Sequence, residues 1–164
     1  MKLTPGKLAG LKALSDERGV IAAAAMDQRG SLKKSLAKER GAAVDDNALI
    51  EFKNLVTDVL TQHASAILLD PEYGLPAAKH RHGKGLLLAY EKTGYDAATP
   101  GRLPDLLDHW SVRRIHNEGA NAVKLLLYYT PFEKKEISCA RHSSPIRSIK
   151  AYFTSLISFF SNGV

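Results

Sequence analysis

The chain has 164 residues and a 45% hydrophobic fraction, which suits one globular domain with a sizeable core and argues against disorder over most of its length. Its net charge of +6 does not mark a nucleic-acid binder, because residues 1 to 132 carry 18 basic and 15 acidic side chains against 5 and 2 in residues 133 to 164, with no basic stripe in the larger part. No apolar run is long enough to span a bilayer, no signal-peptide pattern precedes Asp16-Glu17-Arg18, and the single cysteine, Cys139, forbids an intrachain disulfide and points to a cytoplasmic setting.

Thr4 to Arg18, with Leu8, Leu11 and Leu14, predicts a leading helix. Val20 to Met26 predicts a strand covered on both faces, since a parallel sheet flanked by helices leaves no wet face to alternate toward. That run stops on Asp27-Gln28-Arg29-Gly30, the composition of a site mouth, and Gly30-Ser31-Leu32 opens a helix whose free N–H groups suit a phosphate. Asp45-Asp46-Asn47 offers caps for a second helix, with Leu49, Phe52, Val56, Val59 and Leu60 as one buried stripe.

Ala66 to Leu69 predicts the second strand, ending on Asp70-Pro71-Glu72 and a turn-rich stretch that reads as a rigid loop. Leu86 to Tyr90 predicts the third, ending on Glu91-Lys92. Pro104 suits the first turn of a further helix, with Leu103, Leu107, Trp110 and Ile115 on one face and Gly119 as its C-cap. Ala122 to Tyr129 predicts the fourth strand and carries Lys124 inside it.

Strands alternating with helices imply right-handed crossovers and a parallel sheet, either doubly wound or a (β/α)8 barrel. Polar residues at several strand ends, and the absence of G-x-G-x-x-G or a P-loop, favour the α/β TIM barrel. Only its first four βα units are legible, in residues 1 to 132. Residues 133 to 164 form a separate, basic, serine-rich segment: Ile137 to Val164 holds seven serines and no Asp or Glu. It reads as a native tail or as the product of a shifted reading frame, and codons for Leu156 to Gly163 exist that give D-F-F-F-L-E when read two bases later. Half a barrel is expected to self-associate through exposed edges of its first and fourth strands.

Lys124 is the most informative single residue. An ammonium between Val123 and Leu125 in a buried strand must be paired or have a lowered pKa, serving as a Schiff-base nucleophile, an electrostatic partner to a substrate oxygen, or one half of a structural ion pair. Asp27, closing the first strand, can converge with it in a barrel mouth. Gln28 can fix a hydroxyl, while Arg29 can meet an anion or face solvent. His80-x-His82 lacks the ligand count of a metal site and reads as a surface loop.

The stretches A-M-D-Q-R-G-S-L-K, L-L-D-P-E-Y-G-L-P-A, K-G-L-L-L-A-Y-E-K-T-G-Y-D, R-L-P-D-L-L-D-H-W-S-V and A-V-K-L-L-L-Y-Y, collinear from about Lys7 to Phe132, resemble the class I tagatose-1,6-bisphosphate aldolase family. The resemblance implies a (β/α)8 barrel that cleaves a phosphorylated ketose into dihydroxyacetone phosphate and glyceraldehyde 3-phosphate through a lysine imine, without a metal or other cofactor. It implies that Asp27 and Lys124 match charged active-site positions and Gln28 the adjacent substrate-contacting one. The family also contains sulfofructose phosphate aldolases. Its proton-shuttling Glu on strand five and Schiff-base Lys on strand six have no counterpart here, so the fragment is expected to be inactive, or to be a non-catalytic half-barrel or binding module.

Overall fold

The computed structural model describes residues 3–92 and 105–126, together with the backbone of residues 155–159. Along the chain run α1 (Pro5–Leu14), β1 (Ala23–Met26), α2 (Gly30–Arg40), α3 (Asp46–Leu60), β2 (Ala66–Leu69), a 3-10 helix (Leu75–His80), β3 (Gly85–Ala89), α4 (Val112–Asn117), β4 (Ala122–Leu126) and β5 (Ser155–Phe159). Strands one to four pair in sequence order, all parallel, with Ala23 opposite Ala66, Ala66 opposite Gly85 and Leu87 opposite Ala122. This is the winding expected of the first units of a (β/α) barrel.

The two faces of the sheet differ. Ile67, Leu69, Leu86, Leu88, Tyr90 and Val123 point to the helix side and join Ala77, Ala78, Ile115 and Ala120 in the main core. On the other face Ala66, Leu87 and Ala122 pack with Leu14 of α1. Strand periodicity then puts Asp27, Glu91 and Lys124 on this second face, at the C-terminal ends of their strands.

The opposite, N-terminal end is pinned by α1. The Ser65 hydroxyl donates to the Leu14 carbonyl at 2.7 Å and accepts from the Ala22 N–H at 2.9 Å, so one side chain ties α1 to the entrances of β1 and β2. Gly85 is required beside it: a Cβ there would stand 2.8 Å from Leu14 Cα and collide with the Ala13 carbonyl. Asp45 caps α3 by accepting from the Ala48 N–H at 2.8 Å, as the Asp45-Asp46-Asn47 run predicts.

Four expectations need correction. First, β1 is not covered on both faces: exposed and half-buried residues alternate, because Ala24 and Met26 pack against the helix-side core while Ala23 and Ala25, on the other face, are exposed. Second, the buried line of α3 is Leu49, Lys53 and Thr57, while Val59 and Leu60 are exposed. Third, α4 starts at Val112 under a Ser111 cap, because Asp105 to Leu107 is drawn into extended pairing with the end of β3: Lys92 N–H donates to Asp105 O at 2.7 Å and Leu107 N–H to Tyr90 O at 3.0 Å. Gly119 does close that helix, with φ of 83° in the left-handed region.

The fourth correction concerns the sheet edges. β5 pairs antiparallel with β4, Lys124 opposite Ile157, so the edge of β4 expected to be free is covered. A barrel would continue with a parallel strand at this place. Leu103, Pro104, Tyr129, Cys139 and most of the segment from 133 onward lie outside the described residues.

Candidate active site

Three parallel strands deliver three charged side chains to one place. Lys124 lies inside β4, Asp27 follows the last residue of β1, and Glu91 follows β3 by two residues. Lys124 Nζ donates to Asp27 Oδ2 at 2.8 Å and to Glu91 Oε1. The second Glu91 oxygen accepts from the Leu126 N–H at 3.3 Å, so the same carboxylate fixes the backbone at the end of β4. All three side chains are less than one fifth exposed.

Burial, the largest single influence on Lys124, acts to lower its pKa; hydrogen bonds and charge from Asp27 and Glu91 together outweigh it, and the net displacement is upward from the ordinary lysine value. Lys124 is therefore an ammonium at neutral pH. Among the described residues, the two carboxylates take two of its three N–H donors and no other group takes the third.

A second charged group adjoins the first. Lys53 of α3 is fully buried and donates to the Met26 carbonyl at 2.9 Å and to Asp70 Oδ1. Burial pushes its pKa below the ordinary lysine value, and the charge of Asp70 and its hydrogen bond only partly oppose that. Arg29 is also buried. Its Nη2 donates to the Glu91 carbonyl oxygen at 2.9 Å, and its Nε and Nη1 lie 3.7 Å from Asp70 and 3.2 Å from Glu72. Asp70 further accepts from the Tyr73 N–H at 2.7 Å.

The structure thus brings Asp27 and Lys124 together as the barrel reading expects. Gln28 is exposed beside Asp27. Arg29 does not face solvent; the anions it meets are Asp70 and Glu72 of its own chain. His82 lies on the surface with Nε2 3.0 Å from Asp58. Sequence reasoning missed Glu91, although its signal was present: an acid closing a buried apolar run, as Asp27 does. It also missed the Lys53–Asp70 pair, for which the signal was a lysine four residues after Leu49 and four before Thr57. Beside the triad a cleft of about 340 Å³ is lined by Arg29, Glu72, Lys92, Leu107, Asp108 and Trp110.

Residues 21–147 match the family model described as DeoC/LacD family aldolase. Tagatose 1,6-diphosphate aldolase 2 of Enterococcus faecalis is 57% identical over 143 residues, covering 87% of this chain and 43% of the relative. The tagatose 1,6-diphosphate aldolases of Listeria monocytogenes and Streptococcus pneumoniae are 55% and 53% identical over 139 residues, covering 84% of this chain and 41% and 43% of theirs. The chain spans about two fifths of the length of the curated relatives it matches. On the match of sequence, strand order and charged strand ends, the chain belongs to the DeoC/LacD aldolase family.

Proposed function

We propose that this chain forms the first half of the substrate pocket of a class I aldolase acting on tagatose 1,6-bisphosphate, with Asp27 and Lys124 as catalytic residues and Gln28 as a substrate-binding one. The observation that carries the reading is the Lys124 ammonium, held between Asp27 and Glu91 at the C-terminal end of a parallel sheet, with its third N–H unspent among the described residues. The names of the relatives support the choice of substrate.

In this pocket Lys124 donates to a ketose oxygen and stabilises negative charge that develops there, in a setting dry enough for the interaction to count. Asp27 accepts from a substrate hydroxyl, and the Gln28 amide beside it donates and accepts at a neighbouring one. Lys124 is not the imine-forming lysine: that role needs the free amine, and the two carboxylates keep it protonated. In the whole enzyme a lysine imine takes up the electron pair left when the carbon–carbon bond breaks, yielding dihydroxyacetone phosphate and glyceraldehyde 3-phosphate. The proton-shuttling Glu and imine-forming Lys that the family carries on strands five and six have no counterpart in this sequence, and on that reading the chain by itself binds without cleaving. No helix among the described residues is long and apolar enough to cross a membrane; the cytoplasmic setting we propose rests on the single cysteine, Cys139.

Calorimetric titration with tagatose 1,6-bisphosphate tests the proposal. Binding that weakens at least tenfold in Lys124→Met supports it, and equal heats from both proteins contradict it.

A further inference from the structure

Lys53 and Arg29 each donate to a backbone carbonyl next to the site. Lys53 holds that of Met26, the residue before Asp27, and Arg29 holds that of Glu91 itself. Asp70, at the end of the strand between these two, meets both cations. The three elements that carry Lys124's surroundings are thereby linked through one buried carboxylate. Stability alone is a poor reason for such a group, since apolar residues of similar volume at buried ion-pair positions are often neutral or stabilising.

We infer that Lys53, Asp70 and Arg29 are positioning residues, which fix the ends of β1 and β3 so that Asp27 and Glu91 both reach Lys124. This deepens the proposed function and rests on the reading that the Asp27–Lys124–Glu91 group is the substrate site. The three touch no substrate. Lys53 and Asp70 are fully enclosed, and Arg29 spends Nη2 on Glu91 and turns its other nitrogens to Asp70 and Glu72. Their effect passes through the Met26 and Glu91 carbonyl oxygens to the two residues whose carboxylates meet Lys124.

The test is the titration of Lys124 itself, followed by NMR on lysine labelled at Cε and Nζ, with the signal assigned from its absence in Lys124→Met. Lys53→Met retains a long side chain and leaves Asp70 paired with Arg29; Arg29→Met leaves it paired with Lys53. In each, Lys124's pKa falls by about one pH unit as a carboxylate withdraws. Arg29→Lys keeps the charge balance and loses the fork, and covers the case in which a methionine variant does not fold. It lowers the pKa by a smaller amount. A merely structural role lowers the melting temperature and leaves Lys124 titrating as before, and that result in a folded variant overturns the inference. Failure of the substrate reading shows elsewhere, as absent binding of tagatose 1,6-bisphosphate to the unsubstituted chain.

Discussion

Lys124 on β4 and Asp27 after β1 are 97 residues apart in the chain and 2.8 Å apart in space, joined across two intervening strands. The pair therefore reports on the whole parallel sheet. Asp27→Asn keeps the volume and removes the charge, leaving Lys124 with Glu91 alone. Stability falls by about 2 kcal/mol, less than a fully orphaned buried charge would cost. Urea unfolding of the two proteins, with equal slopes and a lower midpoint for the variant, checks this.

The raised pKa of Lys124 fixes the sign of an alkaline effect. The folded state holds this proton more tightly than the unfolded chain, whose lysine titrates near 10.5. Its stabilising contribution is complete below that value and disappears as pH rises through the higher folded pKa. Lys53 acts in the opposite sense: its folded pKa is lowered, so stability rises with pH between the folded value and 10.5. The stability difference between the unsubstituted chain and Lys124→Met, measured by denaturant at a series of pH values, is constant below about pH 10 and shrinks above it.

Gly85 tests the floor of the sheet. In Gly85→Ala the new methyl group meets backbone of α1 at Ala13 and Leu14, which cannot swing aside as a side-chain end would. Destabilisation of about 3 kcal/mol is expected, with α1 detached from β3. Hydrogen exchange at Ser15, whose N–H donates to Leu11 O at 3.1 Å, reports that detachment.

Much of this fold is legible because a parallel strand must be apolar along its length. The runs at Ala66–Leu69 and Leu86–Ala89 fall on observed strands, and Lys124 is conspicuous because its neighbours are apolar. Less was legible where tertiary pairing overrode local preference. Leu103, Leu107, Trp110 and Ile115 have helical spacing, yet Leu107 pairs with Tyr90 and the helix waits for Ser111. On α3 the apolar pattern hid the true inward line, because Lys53 belongs inside when an acid and a carbonyl await it. Val59, two residues beyond Thr57, turns about 200° away from that line. Glu91 was visible as a strand end, but its link to Lys124 depends on which strands lie side by side.

The free edge of β1 predicts self-association. Val20 and Ile21, leading into it, are 48% and 36% exposed, and among the described residues β2 is the one strand hydrogen-bonded to β1. Such an edge templates pairing with another chain, and a lysine on it opposes that. Sedimentation velocity is expected to show species heavier than the monomer, lost in the double variant Ile21→Lys, Ala25→Lys. A monodisperse monomer for the unsubstituted chain contradicts this.

In the pocket proposed for this chain, Lys124 is a protonated anchor and not the imine-forming nucleophile. Borohydride reduction in the presence of tagatose 1,6-bisphosphate, followed by peptide mass spectrometry, tests it most directly. No ketose adduct is expected at Lys124, together with bisphosphate binding that Lys124→Met weakens. A reduced adduct on Lys124, or triose phosphate released by this chain alone, would contradict it.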